Sequence, residues 1–285
     1  MSASSTMKTS NSAVAQKRFY EEHGYLLLPA LFDANEVATL RAALDEVLLE
    51  AKGLTETTEK FAITPDSEGK PQVRRVFNPI VHHKAFHDAA HHPGTLDVLE
   101  NLIGPDIQLH HSKLNLKPPS TQAAQFPWHQ DYPFFPHTNY DLVAVLIHIN
   151  EATEENGCLR IIPGSHEYGP RPHRFAGDGG AYTSSVANLD EVADESRWLS
   201  LPCPAGSVGM HHCNMLHSST ANLGKQPRSV LIFQYRAADN VALAGSRSPG
   251  FGMIVRGRDV CRARMLDGSI IELPPLINDP LQRDG

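Results

Sequence analysis

Three side chains that bind metals occur at a spacing that suits one mononuclear iron site. His129 and Asp131 are two residues apart, so on an extended segment their side chains point to the same side. His217 is the best candidate for a third ligand, because it ends the predicted strand segment 206–217 and precedes a turn-rich stretch. Two histidines and one carboxylate leave one face of the ion open, as in iron(II) oxygenases that activate O2.

Arg228 follows His217 by eleven residues and opens the apolar run 229–233. A buried arginine needs an anionic partner, because an unpaired buried charge is very costly. The C5 carboxylate of 2-oxoglutarate matches the guanidinium with two parallel hydrogen bonds, while its C1 carboxylate and keto oxygen would bind the iron. An H-x-D pair or a lone histidine carries little weight by itself. The combination with Arg228 predicts an Fe(II)- and 2-oxoglutarate-dependent oxygenase.

The stretch from Trp128 to Arg236 resembles the phytanoyl-CoA dioxygenase family. The matching motifs are His129-Gln130-Asp131, Asn156-Gly157-Cys158-Leu159, Pro163-Gly164-Ser165-His166, His217-x-Ser219 and Arg228. Weaker similarity extends to 109–119, 75–77 and 19–25, so the resemblance covers most of the chain. It implies a double-stranded β-helix, iron(II), 2-oxoglutarate and O2, and hydroxylation of a substrate with decarboxylation of 2-oxoglutarate to succinate.

The resemblance also implies roles for individual residues. The iron ligands are His129, Asp131 and His217. Gln130 lies beside the metal, and Arg228 and Ser219 hold the C5 carboxylate of the cosubstrate. Because Asp131 is present, hydroxylation, desaturation or ring closure is favoured over halogenation, in which related enzymes replace this carboxylate with a small residue.

The substrate pocket departs from the family pattern. Ile147 stands where some members have a tryptophan near the cosubstrate, and Lys113 where some have an apolar residue. Arg75 falls where the family often has a basic contact to cosubstrate or substrate. We therefore expect Arg75 and Lys113 to contact the cosubstrate or an anionic substrate, with solvated surface charge as the alternative.

The order of predicted elements is helical first and then β. Helices are predicted at 13–23, from the N-cap Asp33 to about Lys52, and at 93–103. A loop is predicted at 53–72. Short strands are predicted at 25–28 and 73–77 and then, from residue 107 onward, at 107–117, 142–149, 158–162, 198–201, 206–217 and 228–236. This pattern favours a mainly β (α+β) protein, a jelly-roll or cupin-like barrel braced by N-terminal helices. We expect a disordered tail at 1–13 and one catalytic domain at 14–285.

Composition limits the partners. A net charge of −7 argues against a nucleic-acid binder, and no apolar run reaches the length of a membrane span. The 4 cysteines include no C-x-x-C pair, which favours free thiols in a reducing compartment. We expect a cytoplasmic enzyme that acts on a small molecule, without a nucleic-acid, membrane or protein partner.

Several alternatives stay open at this point. The chain has 16 histidines, and His211 and His212 precede His217 on the same predicted segment. The Gly- and Ser-rich stretch 178–194 is long enough for a lid, and 245–258 could border the mouth of the site. A cupin-type metalloenzyme that does not use 2-oxoglutarate, or a non-catalytic ligand-binding barrel, would also fit parts of the pattern.

Overall fold

The computed structural model describes residues 12–66, 68–119, 125–174, 185–189, 197–244 and 248–274. Within these ranges the α-helices are α1 (Ala13–His23), α2 (Ala34–Leu49), α3 (Lys84–Ala90) and α4 (Pro93–Ile103). The first strands are β1 (Tyr25–Leu28), β2 (Phe61–Pro65), β3 (Pro71–Phe77), β4 (Ile107–Lys117), β5 (Phe126–His129), β6 (Leu142–His148), β7 (Leu159–Ile161) and β8 (His173–Arg174). The remaining strands are β9 (Ser185–Val186), β10 (Leu199–Leu201), β11 (Val208–His212), β12 (His217–Ser219), β13 (Arg228–Ala237), β14 (Ile254–Arg256), β15 (Arg262–Arg264) and β16 (Ile270–Glu272).

Two facing antiparallel sheets form the barrel. The larger has eight strands in the order β1-β11-β6-β13-β4-β3-β2, with β14 pairing along β4. The smaller has the order β10-β7-β12-β5. Strands β1 and β14, from opposite ends of the described chain, join the same sheet. The mainly β fold with bracing helices confirms the predicted class.

Side-chain alternation divides the large sheet into two faces. On the outer face, Val145, Ile147, Leu231 and Phe233 join a core that includes residues of helices α2, α3 and α4. On the inner face, apolar residues of β6 and β13 pack against the small sheet; they are Ala144, Leu146, Val230 and Ile232. The outer face therefore holds the helices, and the inner face is left for the functional site.

Local sequence explains the helix ends. Asp33 accepts hydrogen bonds from the backbone of Asn35 and Glu36, while the Glu36 side chain accepts one from the Asp33 backbone, which completes the predicted capping box. Helix α1 ends at Gly24, whose φ is 78°. A Cβ at this glycine would lie 2.4 Å from His166 Nδ1, so both the conformation and the space require glycine.

Two predictions about elements were wrong, and one helix was missed. The predicted loop 53–72 contains β2, which pairs with β3 as a hairpin, and helix α3 was not foreseen. The predicted segment 206–217 is two strands, because the chain leaves the large sheet after β11 and enters the small sheet at β12. Ile147 lies in the outer core, so the next residue, His148, faces the barrel interior instead.

Two other expectations meet the limits of the described chain. Residues 1–11 of the expected tail lie outside the described residues, whereas Ser12 caps α1 by accepting a hydrogen bond from the Ala15 backbone. Most of the expected lid 178–194 also lies outside them. None of the described helices is both long and apolar enough to span a membrane.

Replacing Leu99 in α4 tests the outer core. This side chain is fully buried, so Leu99→Ala should lower the free energy of unfolding by about 2 to 5 kcal/mol through lost burial and a residual cavity. Chemical denaturation followed by circular dichroism measures the change. The exposed Leu223 is the control, and Leu223→Ala should change stability by about 0.5 kcal/mol or less. Equal effects of the two variants would contradict the assigned core.

Candidate metal centre

Pairing between β5 and β12 brings the two predicted histidine ligands together. His217 lies opposite His129 in this antiparallel pair, and their ring centroids are 4.1 Å apart. Asp131 follows β5 where the backbone turns, and its amide donates to the Cys213 carbonyl. The ligand atoms of His129, Asp131 and His217 all lie within 4.8 Å of one another. The predicted triad is thus one compact metal site.

Hydrogen bonds leave one ligand atom free on each side chain. His129 Nδ1 contacts the Pro127 carbonyl at 2.7 Å, and His217 Nδ1 contacts the Met215 carbonyl at 3.0 Å. A carbonyl only accepts, so both Nδ1 atoms carry the hydrogen and both Nε2 atoms present a lone pair. Such partners orient ligating histidines toward a metal.

Gln234 orients the carboxylate of Asp131 in the same way. Its side-chain Nε2 donates to Asp131 Oδ2 at 2.6 Å, which leaves Asp131 Oδ1 directed toward His217 Nε2 at 3.9 Å. Gln234 lies in the middle of the apolar strand β13 and is fully buried. A polar residue inside an apolar run was the sequence signal that would have identified it.

Burial and neighbouring charges keep the triad in its metal-binding protonation state. Burial lowers the pKa of His129 to about 3 and that of His217 to about 4, so both rings are neutral. Burial by itself raises the pKa of Asp131, but His217 and Lys113 hold it well below its usual range. The site therefore offers two neutral nitrogens and one carboxylate at neutral pH.

The contacts of Gln130 favour a positioning role over the predicted place beside the metal. Its amide nitrogen donates to the carbonyls of Gly169 and Asn214, and its amide oxygen accepts from the Arg171 backbone. Both donor hydrogens are used by the protein, and the residue is fully buried. Gln130 fastens the 169–171 segment to the strand that carries His129.

His211 and His212 were predicted to lie on the same strand as His217. This prediction was wrong, because they lie on β11 in the large sheet, whereas His217 lies on β12 in the small sheet. The His211 ring lies 4.3 Å from the His217 ring, next to the site, although His211 is not one of the three clustered ligands. The His212 ring lies on the opposite side of the strand, 6.3 Å from the Tyr20 ring. Alternation along β11 separates the two neighbours.

A cluster of two buried basic side chains, Arg228 and Lys117, lies at one end of β13. Arg228 is 4% exposed and pairs in register with Lys117 of β4, whose ammonium donates to Ser219 Oγ at 2.7 Å. Burial lowers the pKa of Arg228 to about 10, so it stays charged at neutral pH. Arg228 Nε and His148 Nδ1 have no hydrogen-bond partner among the described residues. These features fit an anionic group such as a carboxylate.

Two further cations lie between this cluster and the triad. Lys113 is partly exposed on β4, where Asp131 acts to raise its pKa while burial, the largest effect, lowers it. Arg75 on β3 donates to Asn115 Oδ1 at 2.7 Å. Their expected contact to the cosubstrate or to an anionic substrate stays a prediction.

A β-bulge in β4 builds the wall beyond Asp131. Gln234 pairs with His111 while Tyr235 pairs with Leu109, so His110 is an extra residue. Leu109 and Leu114 both join the outer core although they are five positions apart, an odd spacing that regular alternation would place on opposite faces. The bulge lets the side chains of both histidines meet, with 2.7 Å between their Nδ1 atoms.

The fold and this site define the class of protein: a mononuclear non-haem iron oxygenase with a two-histidine, one-carboxylate centre on a double-stranded β-helix. Residues 20–230 match the phytanoyl-CoA dioxygenase (PhyH) family. The chain belongs to this family and is an Fe(II)- and 2-oxoglutarate-dependent dioxygenase.

Similar proteins agree with this assignment. A protein of Stutzerimonas stutzeri named as a probable alpha-ketoglutarate-dependent hypophosphite dioxygenase is 34% identical over 274 residues, 95% of this chain and 93% of that protein. An ectoine dioxygenase of Stutzerimonas stutzeri (strain A1501) is 28% identical over 79% of this chain and 77% of its own length. The iron-bound crystal structure of EctD from S. alaskensis has the same fold, with a TM-score of 0.68 and 21% identity over 88% of this chain and 89% of that chain.

The residues divide the work of the reaction. Bound iron(II) with 2-oxoglutarate supplies the oxidising chemistry, in which O2 is consumed, 2-oxoglutarate becomes succinate and CO2, and one oxygen atom enters the substrate. His129, Asp131 and His217 would hold the metal, and Gln234 orients the Asp131 carboxylate. Membership of this family of 2-oxoglutarate-dependent dioxygenases rules out the two alternative functions, a cupin-type enzyme that does not use 2-oxoglutarate and a non-catalytic ligand-binding barrel.

Gln234→Leu tests the support of Asp131. Loss of the hydrogen bond should weaken iron(II) affinity by about tenfold to a hundredfold, as expected when a group that orients a metal ligand is removed. Anaerobic competition with a chelator measures this affinity. The exposed Gln226 is the control, and Gln226→Leu should leave the affinity unchanged. Unchanged affinity in Gln234→Leu would show that Asp131 does not need this partner.

Proposed function

We propose that this dioxygenase oxidises a small oxyanion, with hypophosphite as the first candidate. The net change would replace a P–H bond by P–OH, while O2 supplies the oxygen and 2-oxoglutarate the remaining electrons. The resemblance to the hypophosphite dioxygenase over 95% of the chain supports the proposal. The charge and size of the site support it independently.

The position of Lys113 near Asp131 is the main support for an oxyanion substrate. Its ammonium lies on the inner face of β4, and Asp131 is the described acid that acts to raise its pKa. A divalent metal on Asp131 takes up this negative charge, so Lys113 would then need another anion to balance burial and the neighbouring Arg75. An oxyanion substrate bound beside the metal meets that need, whereas a neutral substrate does not.

Aromatic rings beyond Asp131 favour a small substrate. The His110 ring lies 5.1 Å from Phe135, 5.1 Å from His137 and 5.2 Å from Phe251. Phe251 belongs to the segment predicted to border the mouth of the site. We take this packed aromatic cluster to favour a small substrate over an acyl-CoA.

Turnover with defined substrates tests the proposal. Iron-loaded protein with hypophosphite should convert 2-oxoglutarate to succinate, and ³¹P NMR should show one phosphite for each succinate. Alkylphosphonates extend the test to other small oxyanions, and ectoine provides a zwitterionic comparison. Coupled turnover with ectoine but with none of the oxyanions would overturn the proposal.

Lys113→Met separates the two roles predicted for this lysine. Loss of a charge-assisted contact to the substrate should raise the KM for the oxyanion by about tenfold or more, with the KM for 2-oxoglutarate unchanged. The exposed Lys70 provides the matched control, Lys70→Met, which should leave both values unchanged. A rise confined to the KM for 2-oxoglutarate would instead make Lys113 a cosubstrate contact.

We further propose that Arg228 and Ser219 bind the C5 carboxylate of 2-oxoglutarate, as expected from the sequence, and that Arg75 supports Lys113. The burial of Arg228 and the position of both residues at one end of the barrel support this assignment.

We also propose the domain organisation, the cellular compartment and the partners of the protein. We infer one catalytic domain over residues 14–285, acting in the cytoplasm on a small molecule without a nucleic-acid, membrane or protein partner. The net charge of −7 and four free cysteines, of which Cys158, Cys203 and Cys213 are buried, support it.

A further inference from the structure

Lys117 is a buried lysine that lies beside Arg228 and Ser219. It is the last residue of β4, is 1% exposed and pairs with Arg228. The charged groups that lower its pKa are Arg228, Arg74 and Arg160. Within the described parts of the chain no acidic side chain forms an ion pair with either Lys117 or Arg228. Arg228 is charged at neutral pH, and a charged Lys117 beside it would need an anion from outside the described chain.

Three acceptors surround the Lys117 ammonium. Nζ donates to Ser219 Oγ at 2.7 Å, to the Gly157 carbonyl at 3.3 Å and to the Thr220 carbonyl. An ammonium has three hydrogens, so the protein uses all of them. Lys117 in this position contributes its charge to a bound anion but no hydrogen bond of its own.

The hydrogen bond from Lys117 determines which groups the Ser219 hydroxyl can bind. A hydroxyl has one hydrogen to donate and also accepts. Because its oxygen accepts from Lys117, the hydroxyl hydrogen is left to donate elsewhere. Ser219 lies two residues from His217 on β12, so both side chains face the barrel interior, where Arg228 also lies.

We propose that Lys117 is a positioning residue of the cosubstrate site, which orients the Ser219 hydroxyl to donate to the C5 carboxylate of 2-oxoglutarate. The inference rests on that carboxylate lying beside Ser219 and Arg228, and it is independent of which substrate is oxidised. A failure of the hypophosphite test therefore leaves it standing.

Gly157 shows that this space is shaped around the lysine. Its φ is +79°, and a Cβ there would lie 2.4 Å from the Thr220 carbonyl and 2.9 Å from Lys117 Nζ. The neighbouring Asn156 holds the turn by accepting from the Thr153 backbone and donating to the Glu151 carbonyl. The Asn156-Gly157 turn thus leaves the space that the Lys117 ammonium occupies.

The charge balance agrees with the geometry. Burial, followed by Arg228, lowers the pKa of Lys117 to about 5. A carboxylate placed beside it opposes both effects and favours the ammonium. Cosubstrate binding and protonation of Lys117 therefore support each other.

Binding of two 2-oxoacids separates this role from simple packing. Iron(II)-loaded protein is titrated anaerobically with 2-oxoglutarate and with 2-oxopentanoate, which has the same carbon chain without the terminal carboxylate. Lys117→Met should weaken 2-oxoglutarate binding by about tenfold to a hundredfold, the range for a hydrogen bond to a charged group, and leave 2-oxopentanoate binding unchanged. Lys225→Met, at an exposed lysine in the turn before β13, should change neither affinity.

A second variant tests the path through the hydroxyl. Ser219→Ala should also weaken only 2-oxoglutarate binding, and its effect should be much smaller when Lys117→Met is already present. Equal weakening for both 2-oxoacids in Lys117→Met would overturn the proposal, because packing alone would then explain it. Unchanged affinities, or fully additive losses in the double variant, would overturn it as well.

Discussion

The antiparallel pairing of β12 with β5 is the constraint on which the rest of the site depends. It places His217 opposite His129, although these residues are far apart in the chain. The same region fixes Asp131, because the carbonyl of Cys213, in the connection that leads into β12, accepts hydrogen bonds from the amides of Asp131 and Tyr132. Once the chain crosses from the large to the small sheet at this point, all three ligands follow. The Nδ1 bonds to backbone carbonyls then fix the direction of each imidazole.

The two faces of the large sheet have different roles: the outer face stabilises the fold, and the inner face carries the functional site. The outer face is apolar and packs on the helices, which is the main source of stabilisation in a protein of this size. The inner face contains buried or partly buried basic side chains, including Arg228, Lys117 and Lys113. Removing such groups from water costs several kcal/mol each unless they are paired. The interior thus favours anionic ligands before any specific contact is considered.

Local irregularity in β4 is equally important for the shape of the site. A regular strand would direct His110 and His111 to opposite faces, whereas the bulge brings both rings against Phe135. The wall they form lies beyond Asp131, away from Arg228. The metal centre and the basic end of β13 are therefore separate parts of one barrel.

The sequence by itself determined the metal ligands, the limits of α1 and α4, the N-cap of α2 and the β character of the second half, because these depend on local spacing and side-chain chemistry. His129, Asp131 and His217 could be chosen before the fold was known, as could Arg228 at the start of its strand. Only the tertiary structure decided that 206–217 is two strands in different sheets, that Gln130 holds a loop, that Ile147 faces the helices, and that Gln234 and Lys117 support the site. Register, bulges and the partners of buried polar atoms depend on strands distant in sequence, which no local pattern specifies.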